Sequence, residues 1–267
     1  MNGPLYRKVA DDLRRRIESG RLAEGEQLAT EDELMESYHT SRSTIRAALK
    51  ELTTRGLVNT LHGKGTFVTK QVNPIVTTLT SDPKTGGGGG EGLVYTAEVA
   101  ASGRSATTGR LRLEIMNANP EIAHSLGIKE GTTVICRHED RYVDDKPWSV
   151  QTSYYPWSLY NEAPGLLNNA DMAEGTVSYL AERGIRQVGY RDTVAVRVPN
   201  MEETEYFDLP ADGRIQVVEI YRVAFDQEQR RVRLTITVYP ADRNRFVINV
   251  GDVPVSDELA AGGPEAL

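Results

Sequence analysis

The sequence predicts an α+β protein of two domains, in which a small winged helix-turn-helix precedes a larger domain built on an antiparallel sheet. Three observations lead to this prediction. Short amphipathic helices precede a hairpin within residues 1–72, a glycine-rich stretch follows, and one helix and hairpin pattern occurs twice in the remainder. The 267 residues, 39% of them apolar, are enough for two ordinary hydrophobic cores.

The N-terminal part contains three predicted helices. The first begins at Pro4, which suits a first helical turn, and its apolar residues recur every four positions. The second starts with a capping box formed by Thr30 and Glu33. The third begins just after the second ends, is capped by Ser41 and is stopped by Gly56. Two helices joined by so tight a turn predict a helix-turn-helix.

A hairpin follows the third helix. Residues 57–61 and 66–69 have the composition of strands, and the turn between them, residues 62–65, reads His-Gly-Lys-Gly. A hairpin directly behind a helix-turn-helix predicts the wing of a winged helix-turn-helix, with a basic tip.

The charge distribution indicates an anionic partner for this part of the chain. The whole chain has a formal net charge of −7, but residues 39–70 contain six Lys and Arg against one Glu. A small basic surface on an acidic protein favours a local anionic partner over general binding to polyanions. The alternative is an ordinary solvated helix face.

The third helix has the pattern of a DNA recognition helix. Arg42, Arg46 and Lys50 recur every four residues, away from the apolar stripe. Such a helix can enter the major groove, where arginine donates two hydrogen bonds to guanine, while the wing lies along the backbone or minor groove. The candidate DNA-binding residues are Arg42, Ser43, Thr44, Arg46, Lys50, His62, Gly63, Lys64 and Gly65.

Composition also predicts the domain boundaries. Residues 73–92 contain two prolines and a run of five glycines, which predicts a flexible linker between a DNA-binding domain at 1–72 and a second domain at 93–250. No Lys-Ser/Thr follows the glycines, so a phosphate-binding loop is disfavoured. The Gly-, Ala- and acid-rich tail, residues 251–267, is expected to be disordered.

The second domain contains an internal duplication. Residues 117–156 show a helix, then a strand, a turn and a strand, and residues 200–240 repeat that order. Strand alternation separates polar from apolar faces in both hairpins. The polar positions include Arg137, Glu139, Arg141, Gln151, Ser153, Arg233, Thr235 and Thr237. They are either the lining of a ligand pocket or a solvated sheet face with ordinary ion pairs.

Several segments resemble a known family. The first 72 residues are similar to the DNA-binding domain of GntR-family bacterial transcription regulators, through the segments PLYR, LATEDEL, SRSTIR, GLV and GKGTFV. Residues 93–250 resemble the effector-binding UTRA domain of the HutC subfamily, which has a chorismate-lyase-like fold, through LGIKEG, DKP and SYYP.

The resemblance implies roles for individual residues. Arg42, Arg46 and residues 63–65 match family positions that contact operator DNA. Polar strand residues of the second domain match the lining of the effector pocket in similar domains. The candidate effector-binding residues are Arg141, Gln151, Ser153, Tyr154, Arg233 and Thr235.

This chain also departs from the family pattern. Asp32 stands where the family often has a basic residue, and His39 stands at a turn position where glycine is usual. Glu139 replaces an arginine that is frequent in sugar-phosphate-responsive relatives, and Arg233 replaces a carboxylate. We therefore do not transfer an effector from the family, and we expect His39 to adopt a left-handed conformation at some cost.

The expected function is a sequence-specific transcription regulator, with repressor as the leading interpretation, whose affinity for duplex operator DNA is switched by a small molecule. Arg141 and Arg233 favour an effector with negative charge or strong acceptors, whereas neutralisation by Glu139 and Glu219 would favour a neutral polar or aromatic ligand. Two alternatives are an enzyme of chorismate-lyase-like fold fused to a DNA-binding domain, and a DNA-binding protein without an effector.

Other classes of protein find no support in the sequence. A single cysteine, Cys136, and four scattered histidines offer no disulfide or metal-ligand spacing, and no catalytic residues or cofactor are predicted. The absence of a long apolar run and of a signal-peptide core predicts a cytoplasmic protein with no membrane partner. A homodimer is expected, because two helix-turn-helix units read the half-sites of a palindrome.

Overall fold

The computed structural model describes residues 4–61, 63–69, 74–80, 93–169, 172 and 175–250. The chain divides into two compact units, Met1–Val72 and Asn73–Leu267. His62, the five-glycine run and the tail 251–267 lie outside the described residues.

The first unit has three helices and a hairpin. In chain order the elements are α1 (Leu5–Glu18), α2 (Glu31–Tyr38), α3 (Arg42–Thr54), β1 (Val58–Leu61) and β2 (Gly65–Val68). Leu13, Ile45 and Leu52 are almost completely buried where the helices meet, and Val58 and Val68 attach the hairpin to the same core. The predicted winged helix-turn-helix is confirmed.

Local side chains fix the ends of α2 and α3. The Thr30 hydroxyl accepts a hydrogen bond from the Glu33 amide, the Glu33 carboxylate accepts from the Thr30 amide, and Ser41 caps α3 through the Thr44 amide. His39 ends α2 with φ 48° and ψ 49°, the left-handed conformation that the turn requires. Residues close together in sequence therefore define this turn. His39 has a left-handed backbone conformation there, which costs conformational free energy in a residue other than glycine.

The wing depends on two glycines and one glutamine. Gly63 and Gly65 both have positive φ, at 73° and 118°. A Cβ atom on Gly65 would meet the side chain of Gln27, whose Nε2 donates to the Lys64 carbonyl at 3.0 Å. The amide of Leu28 donates to the Thr66 carbonyl, so residues before α2 extend the hairpin.

The second unit contains a seven-stranded antiparallel sheet with helices beside it. Its elements are β3 (Ile75–Thr78), α4 (Leu93–Ala101), β4 (Ala106–Thr108), β5 (Arg112–Asn117), α5 (Pro120–Leu126), β6 (Thr133–Val143), β7 (Lys146–Pro156), α6 (Gly175–Ala181), β8 (Gln187–Arg197), α7 (Met201–Tyr206), β9 (Val217–Asp226), β10 (Arg231–Pro240) and β11 (Asn244–Val247). Two 3-10 turns, Trp157–Asn161 and Pro164–Leu167, follow β7.

The duplicated hairpins lie side by side at the centre of the sheet. The strand order is β4-β6-β7-β10-β9-β8, with β5 also paired to β6. The last strands of the two copies, β7 and β10, pair with each other in antiparallel register. Duplication in the sequence therefore becomes an approximate two-fold repeat across the β7/β10 junction.

The two faces of this sheet differ in chemistry. One face, here the helix face, packs apolar residues such as Val134, Leu234 and Val238 against α5 and the segment around α7. The opposite face, here the polar face, is covered at one end by α6 and the 3-10 turns, where Leu166 and Tyr179 contribute to the core. At its other end Leu79 packs with Ile220 and Tyr239. Polar side chains occupy the middle of this face.

The expected flexible linker is wrong for residues 74–80. β3 lies within that range and pairs in parallel with β11 near the other end of the unit, with Ile75 opposite Asn244. Ile75, Thr77 and Leu79 are buried. The local sequence, with a proline and several threonines, does not reveal a strand whose partner is so distant. Sequence reasoning also missed α4, β4 and β5.

No helix in the described ranges is long and apolar enough to cross a membrane.

Candidate functional site

The first candidate site is the outer surface of α3. Arg42, Arg46 and Lys50 are exposed, whereas Ile45 and Leu49 of the same helix are buried. The basic stripe predicted from the sequence therefore faces away from the core. Four-residue spacing brings the three cations into one line along the helix.

Acidic residues of α2 hold two of these cations. Both carboxylate oxygens of Glu31 accept hydrogen bonds from Arg46 Nε, at 2.9 and 3.0 Å. A terminal nitrogen of Arg42 donates to Asp32, and its Nε lies 3.8 Å from Glu31. Hydrogen bonding to Glu31 raises the pKa of Arg46. The carboxylates were not predicted as part of the site, because α2 and α3 must pack before these pairs can form.

The start of α3 also presents hydroxyl groups. Ser41 Oγ lies 2.9 Å from both Ser43 Oγ and Thr44 Oγ1. Ser43 is exposed and Thr44 is half-buried. Together with free amides at a helix N-terminus, such hydroxyls can hold a phosphate oxygen.

The wing contributes the remaining predicted residues of this unit. Gly63 and Lys64 are exposed at the tip, next to the half-buried Gly65. His62, the fourth predicted tip residue, lies outside the described residues. An exposed lysine on a glycine-rich turn can approach a phosphate backbone closely, because little side-chain volume surrounds it.

The second candidate site is a row of polar residues across the centre of the polar face. In the strand register Arg137 is opposite Ser153, Ser153 is opposite Thr235, and Thr235 is opposite Arg222. Ser153 Oγ and Thr235 Oγ1 lie 3.2 Å apart. All four side chains are buried. Both copies of the duplication therefore contribute to one polar row.

Arg137 is the least satisfied member of this row. Its side chain is 2% exposed, and Nη1 donates to the carbonyls of Leu166 and Asn168, at 2.8 Å each. Nε and Nη2 are buried, and the described part of the chain offers them no hydrogen-bond acceptor. These two nitrogens form the edge of a guanidinium group that matches a carboxylate or phosphate in bidentate geometry.

Further buried polar atoms lie in the next rows. Gln151 Oε1, Ser149 Oγ and Arg141 Nη1 are buried without an acceptor or donor among the residues that the structure describes. Arg141 lies 3.6 Å from Glu139 and places its guanidinium 5.0 Å from the ring centre of Tyr95. Unsatisfied polar atoms concentrated on one sheet face are what a polar ligand would pair with.

The other arginines on this face have protein partners. Arg222 donates to both oxygens of Asp192, at 2.7 and 2.6 Å, and its guanidinium stacks 3.7 Å from the ring centre of Tyr190. Arg233 Nη2 donates to Gln187 Oε1 at 2.9 Å. Arg233 shares the face with Thr235, as its strand position predicted. One of its nitrogens, however, already donates a hydrogen bond to Gln187 in the edge strand β8.

One predicted effector residue, Tyr154, and one carboxylate considered as a neutralising partner, Glu219, lie on the other face of the sheet. Tyr154 lies on the helix face, opposite Leu234 and Cys136 in the register, and burial raises its pKa to about 12. Adjacent strand residues point to opposite faces, so Ser153 and Tyr154 cannot both line the polar face. Glu219 is also on the helix face, where it accepts from Arg197 and Tyr221.

Of the predicted effector residues, five share the polar face: Arg141, Gln151, Ser153, Arg233 and Thr235. Arg137 was recognised as a polar strand residue but was not included in the predicted site. Its position, four residues before Arg141 on the same strand, placed it on that face. The carbonyls that orient it come from residues 166 and 168, which the local sequence did not connect with β6.

Comparison with known families agrees with both units. Residues 5–68 match the model for bacterial regulatory proteins of the gntR family, and residues 101–245 match the model for the UTRA domain. The two matches together span the helix-turn-helix, the wing and nearly all of the sheet.

Curated relatives are named as transcription regulators. The HTH-type transcriptional regulator GgaR of Escherichia coli K12 is 26% identical over 246 residues, covering 92% of this chain and 91% of that protein. The HTH-type transcriptional repressor NagR of Bacillus subtilis is 26% identical over 160 residues, covering 60% of each chain.

A solved structure has the same fold. The crystal structure of PhnF from Mycobacterium smegmatis covers 91% of this chain and 99% of its own, with a TM-score of 0.56 and 23% sequence identity. From its helix-turn-helix, its duplicated sheet and the two family matches, this chain belongs to the gntR family of bacterial regulatory proteins and has the GntR plus UTRA architecture of HutC-type transcription regulators.

Proposed function

We propose that this regulator is a homodimeric repressor that binds a palindromic operator through α3 and the wing, and that a small anionic molecule on the polar face switches its affinity for DNA. The protein has no catalytic role in this proposal. Repression is supported by the name of one relative, the transcriptional repressor NagR of Bacillus subtilis.

The DNA contacts are proposed from the surface of the first unit. Arg42, Arg46 and Lys50 form an exposed basic line on α3, and Lys64 stands at the tip of the wing. A helix carries base-reading residues in the major groove, and a wing lysine contributes phosphate attraction without base preference. Two copies arranged with two-fold symmetry would read both halves of a palindrome.

The effector site is proposed from one observation above all. Arg137 is buried with Nε and Nη2 unsatisfied among the described residues, next to the Ser153 and Thr235 hydroxyls. A buried arginine edge without an acceptor is costly, and a carboxylate or phosphate with neighbouring hydroxyl groups would satisfy it.

The charge of the ligand follows from how the arginines are partnered. Glu139 lies close enough to Arg141 to offset its charge, and Arg222 is paired with Asp192. Arg137 has no carboxylate partner among the described residues, so it supplies the unmatched positive charge. A neutral polar ligand would be favoured instead if Arg141 and Tyr95 formed the main contact.

Binding to a selected operator tests the proposal. Duplexes enriched from a random library by the full chain would be titrated by fluorescence anisotropy, alone and with pools of carboxylate-, phosphate- and neutral metabolites. We expect at least one anionic pool to change operator affinity by about 5- to 150-fold, the usual range of coupling between two sites. Selection of no sequence would contradict the operator assignment. A response to no pool, or only to neutral ones, would contradict the anionic effector.

A further inference from the structure

We propose that Glu31 is a positioning residue for base recognition: it holds Arg46 so that the two terminal nitrogens of the guanidinium face a guanine. The inference rests on the proposed operator contact of α3. It assigns a role to an acidic residue on a different helix, α2, where a carboxylate would otherwise be expected only to repel DNA.

The geometry of the pair carries the inference. Glu31 takes its two hydrogen bonds from Nε of Arg46, at 2.9 and 3.0 Å. Within the described residues, no acceptor engages Nη1 or Nη2 of Arg46, whose side chain is 65% exposed. Two terminal nitrogens side by side match the O6 and N7 acceptors of guanine. The contact with Glu31 therefore occupies the edge of the guanidinium that this recognition does not need.

The backbone around Glu31 favours a fixed position. Glu31 is the first residue of α2 and lies between Thr30 and Glu33, the two residues of the capping box, and its side chain is only 33% exposed. A carboxylate in the first helical turn is also stabilised by the helix dipole. Arg46 is one turn into α3, which packs on α2. The carboxylate therefore belongs to a well-defined helix end and can limit the rotamers of a long, exposed side chain.

Preorganisation explains the expected gain in selectivity. A free arginine loses rotamer freedom when it binds a base, and a side chain already held in the binding geometry loses less. Phosphates attract any cation on the helix, but only a correctly oriented fork separates guanine from the other bases. Glu31 should therefore lower attraction to all DNA slightly while raising preference at one base pair.

Asp32 provides a contrast on the same helix turn. It accepts from a terminal nitrogen of Arg42, which is one of the donors that a guanine would need. Arg42 must therefore leave Asp32 before it can present both terminal nitrogens to a base. The two arginines of the stripe are held in different ways, and only Arg46 is held with its end-on donors available.

The test compares base preferences rather than affinity alone. The full chain would be titrated with a library-selected duplex and with all of its single-base variants, for wild type, Arg46→Ala, Glu31→Ala and Glu31→Gln. Glu36→Ala is the matched control, since it removes the same charge from an exposed position of α2. Helix content and thermal unfolding would verify that each variant is folded.

We expect Arg46→Ala to abolish preference at one base pair of each half-site. Glu31→Ala should reduce preference at that same base pair by about three- to tenfold, and Glu31→Gln, which keeps an acceptor for Nε, should retain part of it. Glu36→Ala should leave the pattern unchanged.

Equal tightening on every duplex after Glu31→Ala, with an unchanged pattern, would overturn the inference, because Glu31 would then act only through its charge. Loss of preference at a different base pair would also overturn it. If Arg46→Ala itself left every base preference intact, the proposed role of Arg46 in operator reading would fail first, and the role of Glu31 with it.

Discussion

Ser153 and Thr235 join the two halves of the duplicated sheet through their hydroxyl groups, which lie 3.2 Å apart at the β7/β10 junction. Each residue belongs to the last strand of its own copy, and both are buried. The same pair stands beside Arg137, the residue with the unsatisfied guanidinium edge. The β7/β10 junction between the copies therefore also lies at the base of the proposed effector site.

Removing one of the two hydroxyl groups at the β7/β10 junction should lower the stability of the second unit. Thr235→Val should lower the free energy of unfolding by about 1–2 kcal/mol, because the buried Ser153 hydroxyl loses its partner. The double variant Ser153→Ala, Thr235→Val should recover most of this loss, since no polar group is then stranded. Urea unfolding followed by fluorescence of Trp148 and Trp157, the two tryptophans of the chain, measures both effects. A double variant less stable than the single one would contradict this account.

Arg42 and Lys64 should differ in their effects on DNA binding. Arg42→Ala should cost roughly 1–3 kcal/mol on a selected operator and relax base preference, if the side chain exchanges Asp32 for guanine. Lys64→Ala should weaken all duplexes similarly and reduce the slope of log affinity against log salt by about 1. Unchanged operator affinity for Arg42→Ala at physiological salt would show that this part of α3 does not read DNA.

The arginines of the proposed effector site should differ in how much they contribute to ligand affinity. Calorimetry with an anionic ligand found by the operator assay should show a loss of about 1.5–3 kcal/mol for Arg137→Lys, which keeps the charge but removes the bidentate edge. Arg141→Ala should show a loss in the same range. Arg233→Ala should lose less, because its Nη2 already donates to Gln187. Unchanged affinity in all three variants would place the effector elsewhere.

Glu98 should make the second unit less stable as the pH rises. Burial raises the pKa of this α4 carboxyl to about 7, although one oxygen accepts from the Thr78 amide at 3.0 Å. Between about pH 4.5 and 7 the unfolded chain has released this proton and the folded chain has not, so stability falls with rising pH. The side chain keeps some contact with solvent, which screens part of the effect, and we expect a fall of about 1–2 kcal/mol.

The variant Glu98→Gln checks this assignment, because glutamine has no proton to lose. Urea unfolding of wild type and variant at pH 5 and pH 8 should show that the difference between the two pH values is smaller in the variant. An identical pH dependence in both proteins would assign the effect to other groups.

His39 should be replaceable by glycine with a gain in stability. Its left-handed conformation costs a side chain with a Cβ atom more than it costs glycine. After the added flexibility of the unfolded chain is included, His39→Gly should raise the stability of the first unit by about 0.5–1 kcal/mol. Far-UV circular dichroism during thermal unfolding measures this. Thr40→Gly, one residue further on, is the control and should destabilise; equal effects of both variants would rule out relief of strain.

The parts of the fold that local sequence determines were predictable. The capping box of α2, the Ser41 cap of α3 and the glycine turn of the wing each depend on residues within a few positions of one another. The duplication was visible because each copy repeats a local helix and hairpin pattern. Alternation in the strands separated polar residues from apolar ones within each strand, and the family resemblance implied that Arg141, Gln151, Ser153, Arg233 and Thr235 line one pocket.

The parts that were missed depend on distant partners. The carboxylates beside Arg42 and Arg46 approach only after two helices pack, and Arg137 is oriented by carbonyls that follow β7. Tyr154 was misplaced although alternation alone separates it from Ser153, since the motif that suggested it spans consecutive residues. Spacing of two, rather than proximity in sequence, decides which side chains share a strand face.

The parallel pairing of β3 with β11 determines where a fragment containing only the second unit should start. A fragment that begins at residue 93 would contain β11 without its partner strand β3. It would also lack Leu79, which packs against Ile220 and Tyr239. The carbonyl that Leu79 offers to Arg222 would be lost as well. A fragment that begins at residue 74 retains all of these contacts. For expression of a self-sufficient sensor, the useful start therefore lies before β3, ahead of the glycine run instead of behind it.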